Sequence, residues 1–174
     1  LMKRNIYNHS IEKIEEVLVN DGKKKFRATQ IFEWVYRKNV NDFSLMSNIG
    51  KDNVLYFEEN YEIRGLILEK CQISSDGTRK YLFKLDDGNF IETVLMKHEY
   101  GYSVCVSTQV GCNMGCAFCA SAIGGKERDL EAGEIADQIL FASKDMGQRI
   151  SHTVLMGMGE PLDNYDNVMV FLRN

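Results

Sequence analysis

Cys112, Cys116 and Cys119 stand in C-x3-C-x2-C spacing within Val110-Gly111-Cys112-Asn113-Met114-Gly115-Cys116-Ala117-Phe118-Cys119. No other feature of the chain restricts its fold and chemistry as much. A cubane of four irons normally takes four cysteine ligands. Supplying three from one short loop leaves an iron open to chelate a small molecule, the logic of an open catalytic zinc position. Gly111 and Gly115 let the backbone wrap closely around such a centre. A structural zinc is the rival reading, but it wants four closed ligands, commonly two paired C-x2-C units. Only Cys105, His98 or His152 could be its fourth, and none has paired spacing. Three merely buried cysteines on a glycine-rich loop are a weaker alternative still.

The remaining cysteines are Cys71 and Cys105, giving five in all, four of them within fifteen residues. An odd, clustered set argues against a secreted disulfide framework and for metal or redox chemistry in a reducing compartment. No apolar run is long enough to span a membrane, and Leu1-Met2-Lys3-Arg4-Asn5 leads into polar sequence with no apolar signal core. The expected location is cytoplasmic, with no membrane partner. The net charge of −4 gives no global sign of nucleic-acid binding. Up to residue 98 there are 16 Lys+Arg against 15 Asp+Glu, and beyond it 5 against 10, so the acidic excess lies beside the cysteines.

The first sixty residues read as short helices. Ser10 is a cap for Ile11 to Leu18, with Gly22 beyond the end. A second helix is predicted over Thr29 to Arg37, burying Ile31, Phe32, Trp34 and Val35, and a third from near Gly50. From Tyr61 the pattern turns to strands, with Ser74-Ser75-Asp76-Gly77 and Asp86-Asp87-Gly88-Asn89 as turns between them. After Tyr100 the texture becomes βαβα: a strand from Tyr102 to Ser107, a helix from Leu130 to Met146, a buried strand from Thr153 to Met156, and a helix from near Asn164. The predicted class is α/β. A helical and small-sheet accessory domain is expected over 1–98, and the first βα units of a barrel over 99–174. Two such units cannot close a barrel, and the sequence stops within a helical pattern, so the expectation is the N-terminal part of a longer protein.

The second motif is Val154-Leu155-Met156-Gly157-Met158-Gly159-Glu160-Pro161. A strand ends in two glycines and a glutamate, at the carboxyl end where α/β proteins bind ligands. The glycines admit close approach, and the carboxylate can accept hydrogen bonds from an ammonium group. The competing G-x-G-x-x-G reading fails because Leu162 takes the third glycine position. By itself the turn is ambiguous; some forty residues after a C-x3-C-x2-C loop it becomes a strong sign.

With Phe118 before the last cysteine, the loop resembles the radical S-adenosylmethionine (SAM) superfamily. The strings Cys105-Val106-Ser107-Thr108-Gln109-Val110-Gly111-Cys112, Phe26-Arg27-Ala28-Thr29-Gln30-Ile31-Phe32, Ile91-Glu92-Thr93-Val94 and Gly157-Met158-Gly159-Glu160-Pro161-Leu162 narrow this. Together they resemble the dual-specificity RNA methyltransferases of the RlmN/Cfr family, over essentially the whole chain. The resemblance implies a partial TIM-type barrel, a [4Fe–4S] cluster and SAM as cofactors, and methylation of adenine carbon 2 in 23S rRNA and tRNA. A 5′-deoxyadenosyl radical would abstract hydrogen from a methylated cysteine, whose methyl then adds to a carbon that is not nucleophilic. It also implies an electron donor such as flavodoxin, and a monomer.

Carried over by position, Cys112, Cys116 and Cys119 match the cluster ligands, and Gly159 and Glu160 the SAM-binding turn. Glu92 matches the proton acceptor, and Cys105 the cysteine that resolves the protein–RNA adduct through a disulfide. From the residues alone, Glu92 reads as a solvated strand carboxylate and Cys105 as a small buried hydrophobe, while Cys71 reads as core. Lys23-Lys24-Lys25 with Arg27, Arg37 and Lys38, interleaved with Phe26, Trp34 and Tyr36, form a basic stretch able to track phosphates. The family's methyl-carrying cysteine has no counterpart here, so the 174 residues are not expected to turn over by themselves. The rivals are methylation at carbon 8 of the same kind of adenine, against which Pro161 leans, and a non-catalytic RNA-binding module with a structural zinc.

Overall fold

The structure, a computed structural model, describes residues 3–174. Its first third is helical. Ser10 accepts a hydrogen bond from the Lys13 amide at 3.3 Å and opens α1 (Ile11–Asn20), which buries Ile14 and Leu18. The second helix is α only over α2 (Arg27–Phe32). The predicted continuation to Arg37 widens into a π turn over Glu33–Arg37, which keeps Val35 buried while Trp34 Nε1 reaches Asn48 Oδ1 at 2.6 Å. The third, α3 (Lys51–Asn60), follows Gly50. Two short strands, β1 (Arg4–Asn5) and β2 (Tyr61–Glu62), pair in parallel and close this unit over a core that includes Ile14, Leu18, Ile31, Val35, Ile49 and Phe57.

The rest is built on a five-stranded sheet. The predicted meander is β3 (Ile67–Ile73), β4 (Arg79–Lys84) and β5 (Phe90–His98), all antiparallel. β6 (Gly101–Cys105) pairs antiparallel with β5, and β9 (His152–Val154) pairs in parallel with β6, giving the order β3-β4-β5-β6-β9. The division expected at residue 98 therefore meets a continuous sheet, because the β5–β6 turn joins the meander to the first strand of the α/β run. The buried clusters separate earlier, between the helical unit and the sheet.

A small hairpin follows β6: β7 (Gln109–Gly111) and β8 (Lys126–Asp129), enclosing the cysteine loop. α4 (Ala132–Met146) packs Ile135 and Ala142 against Tyr81, Phe83, Ile91, Leu95 and Val104 of the sheet. Leu130, predicted as its first residue, is buried just before it, and Glu131 and Glu134 form a capping box at its start. Strand β9 was expected to be buried; its three residues are exposed, because it ends the sheet with no neighbouring strand on its far side. A 3-10 turn at Pro161–Asn164 leads into α5 (Tyr165–Arg173).

The helical unit docks on α4 through specific bonds. Asn8 Oδ1 accepts from the Gly133 amide at 2.8 Å, and Asn8 Nδ2 donates to Glu131 Oε2 at 2.6 Å. Further along, Asn39 Nδ2 donates to the Leu140 carbonyl at 2.8 Å. Asp137 is buried on this helix, where its Oδ2 accepts from the Leu66 amide at 2.5 Å. Burial pushes its carboxyl up to about 6, with the Leu66 N–H and Lys144 opposing. Among the described residues no helix is long and apolar enough to cross a membrane.

Candidate cluster loop and ligand turn

The carboxyl end of β6 organises the candidate site. Val106 N accepts its place in the sheet by donating to Val154 O at 3.0 Å, and Gly157 N returns a bond to Val106 O at 3.0 Å. Thr108 N and Gln109 N then both donate to Met158 O, at 2.8 and 3.2 Å. The Gly157–Glu160 turn is thus stitched along the segment that leads from β6 into the cysteine hairpin. The two motifs, forty residues apart in sequence, become neighbours.

The base of the cysteine loop is closed by a contact that only glycine permits. Gly111 has φ +73°, and a Cβ there would lie 1.9 Å from the Gly125 carbonyl oxygen. Next to it, Cys112 N donates to that same oxygen at 3.2 Å, and Asn113 Oδ1 accepts from Lys126 N at 2.8 Å. Between these ties, Cys119 N bonds to Cys116 O at 3.0 Å. Cys112 is buried, Cys119 half-buried and Cys116 exposed, and all five cysteines are free thiols. Among the described residues no three His, Cys, Asp or Glu side chains lie close enough together to hold a metal ion. The loop therefore brings the three thiols to one place in the fold without converging their sulfurs on a point.

The chemistry of the donor set still discriminates between occupants. A closed zinc site needs a fourth donor. His98 is paired with Gly101, and His152 with Ser103, at the opposite end of β6 from the loop. There His98 Nε2 contacts Ser103 Oγ at 2.7 Å and stacks on Tyr100. Cys105 lies within the sheet, opposite Val94 and Val154, and not on the loop. Among the described residues neither Cys105, His98 nor His152 stands beside the three thiols, and such a three-thiol set fits a [4Fe–4S] cluster with one open iron. The loop also carries exposed apolar side chains, Met114, Phe118 and Ile123.

Glu92 and Cys105 share one face of the sheet. Val94 pairs with Cys105, and Glu92, two residues from Val94, projects to the same side. The Glu92 carboxylate accepts from Lys80 Nζ at 2.9 Å, an ion pair half exposed on both sides. Burial raises the Cys105 thiol, and the Met156 amide opposes that by bonding to its sulfur. Cys71 is half-buried against the sheet's core. The lysines at 23–25 sit on the helical unit, where Phe26 is exposed under the Arg27 guanidinium. Neither they nor Lys38, whose ammonium lies over Trp34, touch the loop or the turn.

Several residues of this region escape sequence reasoning. Gln109 is fully buried, with its side-chain amide bonded to Asp129, Asp163 and the Glu160 amide. Lys126 Nζ bridges the same two carboxylates. The available signal is a polar run, Ser107-Thr108-Gln109, between Val106 and Val110 in an otherwise apolar strand-to-loop segment.

Comparison with known proteins agrees with this arrangement. Residues 4–63 match the "Ribosomal RNA large subunit methyltransferase N-terminal domain" family, and residues 106–173 match the "Radical SAM superfamily". A protein of Listeria welshimeri named "Probable dual-specificity RNA methyltransferase RlmN" is 53% identical over 98% of this chain and 48% of its own length. Proteins of the same name from Enterococcus faecalis and Streptococcus mutans are each 52% identical, over 99% of the chain and 50% and 49% of their own lengths. The crystal structure of a radical SAM methyltransferase from Sphaerobacter thermophilus superposes with a TM-score of 0.87 at 37% identity, covering 98% of this chain and 51% of that one. The chain spans about half the length of the relatives it matches.

Proposed function

From a chain that belongs, by sequence and by fold, to the RlmN family of radical SAM methyltransferases, we propose a role in methylating carbon 2 of adenine in 23S rRNA and tRNA. The observation that carries this reading is the juxtaposition at the end of β6. A glycine-rich turn ending in a carboxylate is bonded to residues 106–109, the segment that runs directly into the hairpin carrying the three thiols. Cys112, Cys116 and Cys119 are the residues that would hold a [4Fe–4S] cluster. Bound there, the cluster would supply the one-electron chemistry that cleaves SAM reductively.

The chain's own residues supply the rest. The Gly159 backbone admits the close approach of SAM, and the Glu160 carboxylate accepts hydrogen bonds from its ammonium group. Glu92 accepts the proton that leaves carbon 2, and Lys80 at 2.9 Å holds its carboxylate on the open sheet face. Cys105, on that same face, would resolve the protein–RNA adduct of the full-length protein: its sulfur bonds to that of the methyl-carrying cysteine, which lies outside these 174 residues, and the S–C bond to the RNA breaks with its electron pair leaving on the RNA carbon. Burial of Cys105 disfavours the thiolate, so the Met156 N–H bond to sulfur is what favours ionisation when the thiol is called on. The Lys23–Arg27 stretch, exposed at Lys24, Lys25 and Phe26, engages RNA phosphates. The electron donor, such as flavodoxin, a monomeric state and a cytoplasmic location belong to the same reading.

Anaerobic reconstitution with iron and sulfide, followed by metal and acid-labile sulfide analysis, tests the loop. Alanine at any of the three cysteines should abolish cluster uptake without unfolding the protein. Stoichiometric zinc with no sulfide would end the reading. Mass spectrometry of RNA methylated by the full-length protein tests the product, and methyl confined to carbon 8 would overturn the regiochemistry.

A further inference from the structure

We propose that Gln109 is a positioning residue that sets the Gly157–Glu160 turn against the cysteine loop, and so fixes where SAM sits relative to the cluster. This rests on the reading of that turn as the SAM site. Gln109 has 0% exposure, and both N–H donors and the oxygen of its side-chain amide are bonded. Nε2 donates to Asp129 Oδ1 at 2.8 Å and to Asp163 Oδ2 at 3.0 Å, while Oε1 accepts from the Glu160 amide at 2.8 Å. Asp129 lies on β8, which leaves the cysteine loop, and Asp163 follows the turn. One amide thereby ties the loop's outgoing strand, the glutamate of the turn and the 3-10 turn beyond it.

Two further observations show that the fit is close. Gly159 has φ +99°, and a Cβ there would stand 2.5 Å from Gln109 Cβ, so the turn passes directly over this side chain. Lys126 Nζ, at the exit of the loop, spans the same two carboxylates at 3.3 Å (Asp129) and 2.9 Å (Asp163). Lys126 and then Gln109 hold the Asp163 carboxyl below its usual range. The two donors on Gln109 are thus matched to two carboxylates that Lys126 also bridges, and its oxygen is matched to a backbone N–H. No other neutral side chain offers two donors and one acceptor at that reach.

Gln138 is the control. It is also fully buried and fully bonded, to Thr93, Ser107 and the Glu134 carbonyl, but it has no bond of its own to the loop or the turn, which it reaches only through Ser107, whose hydroxyl accepts from the Met158 amide. A Gln109→Met variant of the full-length protein, anaerobically reconstituted, should keep the parent's iron and sulfide content. Its SAM Kd, read from the change in the electron paramagnetic resonance of the reduced cluster, should rise tenfold or more. Gln109→Glu should do at least as badly, since it loses both donors and adds a third carboxylate. Asp163→Asn, at a half-exposed site where folding is not in question, should raise Kd several-fold. In the metal-free protein, Gln109→Met should speed amide hydrogen exchange at Glu160, whereas Gln138→Met should lower thermal stability with a smaller change in Kd and in exchange at that amide.

Gln109 and Asp163 variants that bind SAM within twofold of the parent, with losses of stability like that of Gln138→Met, would overturn the proposal. If the parent itself takes up neither iron nor SAM, the reading of the site fails instead. The exchange measurement on metal-free protein then still decides whether Gln109 holds the turn.

Discussion

Replacing Asp137 by asparagine should change how stability depends on pH, with a sign and size the structure supplies. The carboxyl is 8% exposed and accepts from the Leu66 amide at 2.5 Å. Tyr7 on one side, Tyr36 on another and Lys144 along the helix are the ionisable groups that feel it or act on it. Burial moves the group from 3.8 to about 6. The folded protein then holds this proton more tightly than the unfolded chain, so unfolding releases it, and stability falls as pH rises from about 4 to about 6. At 1.36 kcal/mol per tenfold the full effect is about 3 kcal/mol, and roughly half of it falls between about pH 7.5 and pH 5. His9 works in the opposite direction: burial lowers its imidazole, so it subtracts stability as pH falls below 6.5. Both proteins contain His9, so the difference between their curves isolates Asp137. Asparagine keeps a carbonyl for the Leu66 N–H and removes the charge. Urea denaturation followed by Trp34 fluorescence across this range should show the parent gaining about 1.5 kcal/mol more than Asp137→Asn from about pH 7.5 to pH 5. Parallel curves would refute the argument, because the carboxyl would then titrate alike in both states.

Two other outcomes follow from the same region. Gly111→Ala should cost more than about 3 kcal/mol in chemical denaturation, since it combines positive φ with a backbone oxygen 1.9 Å from the new Cβ; a loss below about 1 kcal/mol would mean the hairpin can open without penalty. Thr108→Val should be neutral or stabilising by up to about 1 kcal/mol, because the buried Thr108 hydroxyl has no hydrogen-bond partner; a clear loss in the same assay would mean that oxygen is bonded after all.

What the sequence made legible follows from how local each signal is. Ser10, Gly50, Gly77 and Gly88 act through their own dihedrals or a bond three residues away, and the helices and turns they mark are where they were expected. The cysteine loop was legible because its chemistry is carried by spacing along the chain. Sheet membership was not. Whether β5 and β6 belong to one sheet depends on pairing Val94 with Cys105, which no local pattern announces. The π turn at 33–37 answers to packing of Val35 and Trp34, not to propensity. Glu92 and Cys105 read as an ordinary carboxylate and an ordinary small apolar residue, and only register shows that they share a face. Gln109 stayed hidden because its three partners lie 20, 51 and 54 positions away.

The parallel pairing of β6 with β9 has a consequence for the order of assembly. Ser103 meets His152 across 49 positions, and everything between them, the cysteine hairpin and α4 included, is a loop closed by that pairing. Closing a loop of this length carries an entropy that grows only with the logarithm of its size, and it must be met before the ligand turn can reach Gln109. The hairpin's own ties, Cys112 to Gly125 and Asn113 to Lys126, are short-range and need no metal. In a zinc finger the metal nucleates the fold, whereas here the two ends of the cysteine loop are anchored by backbone ties that need no ligand.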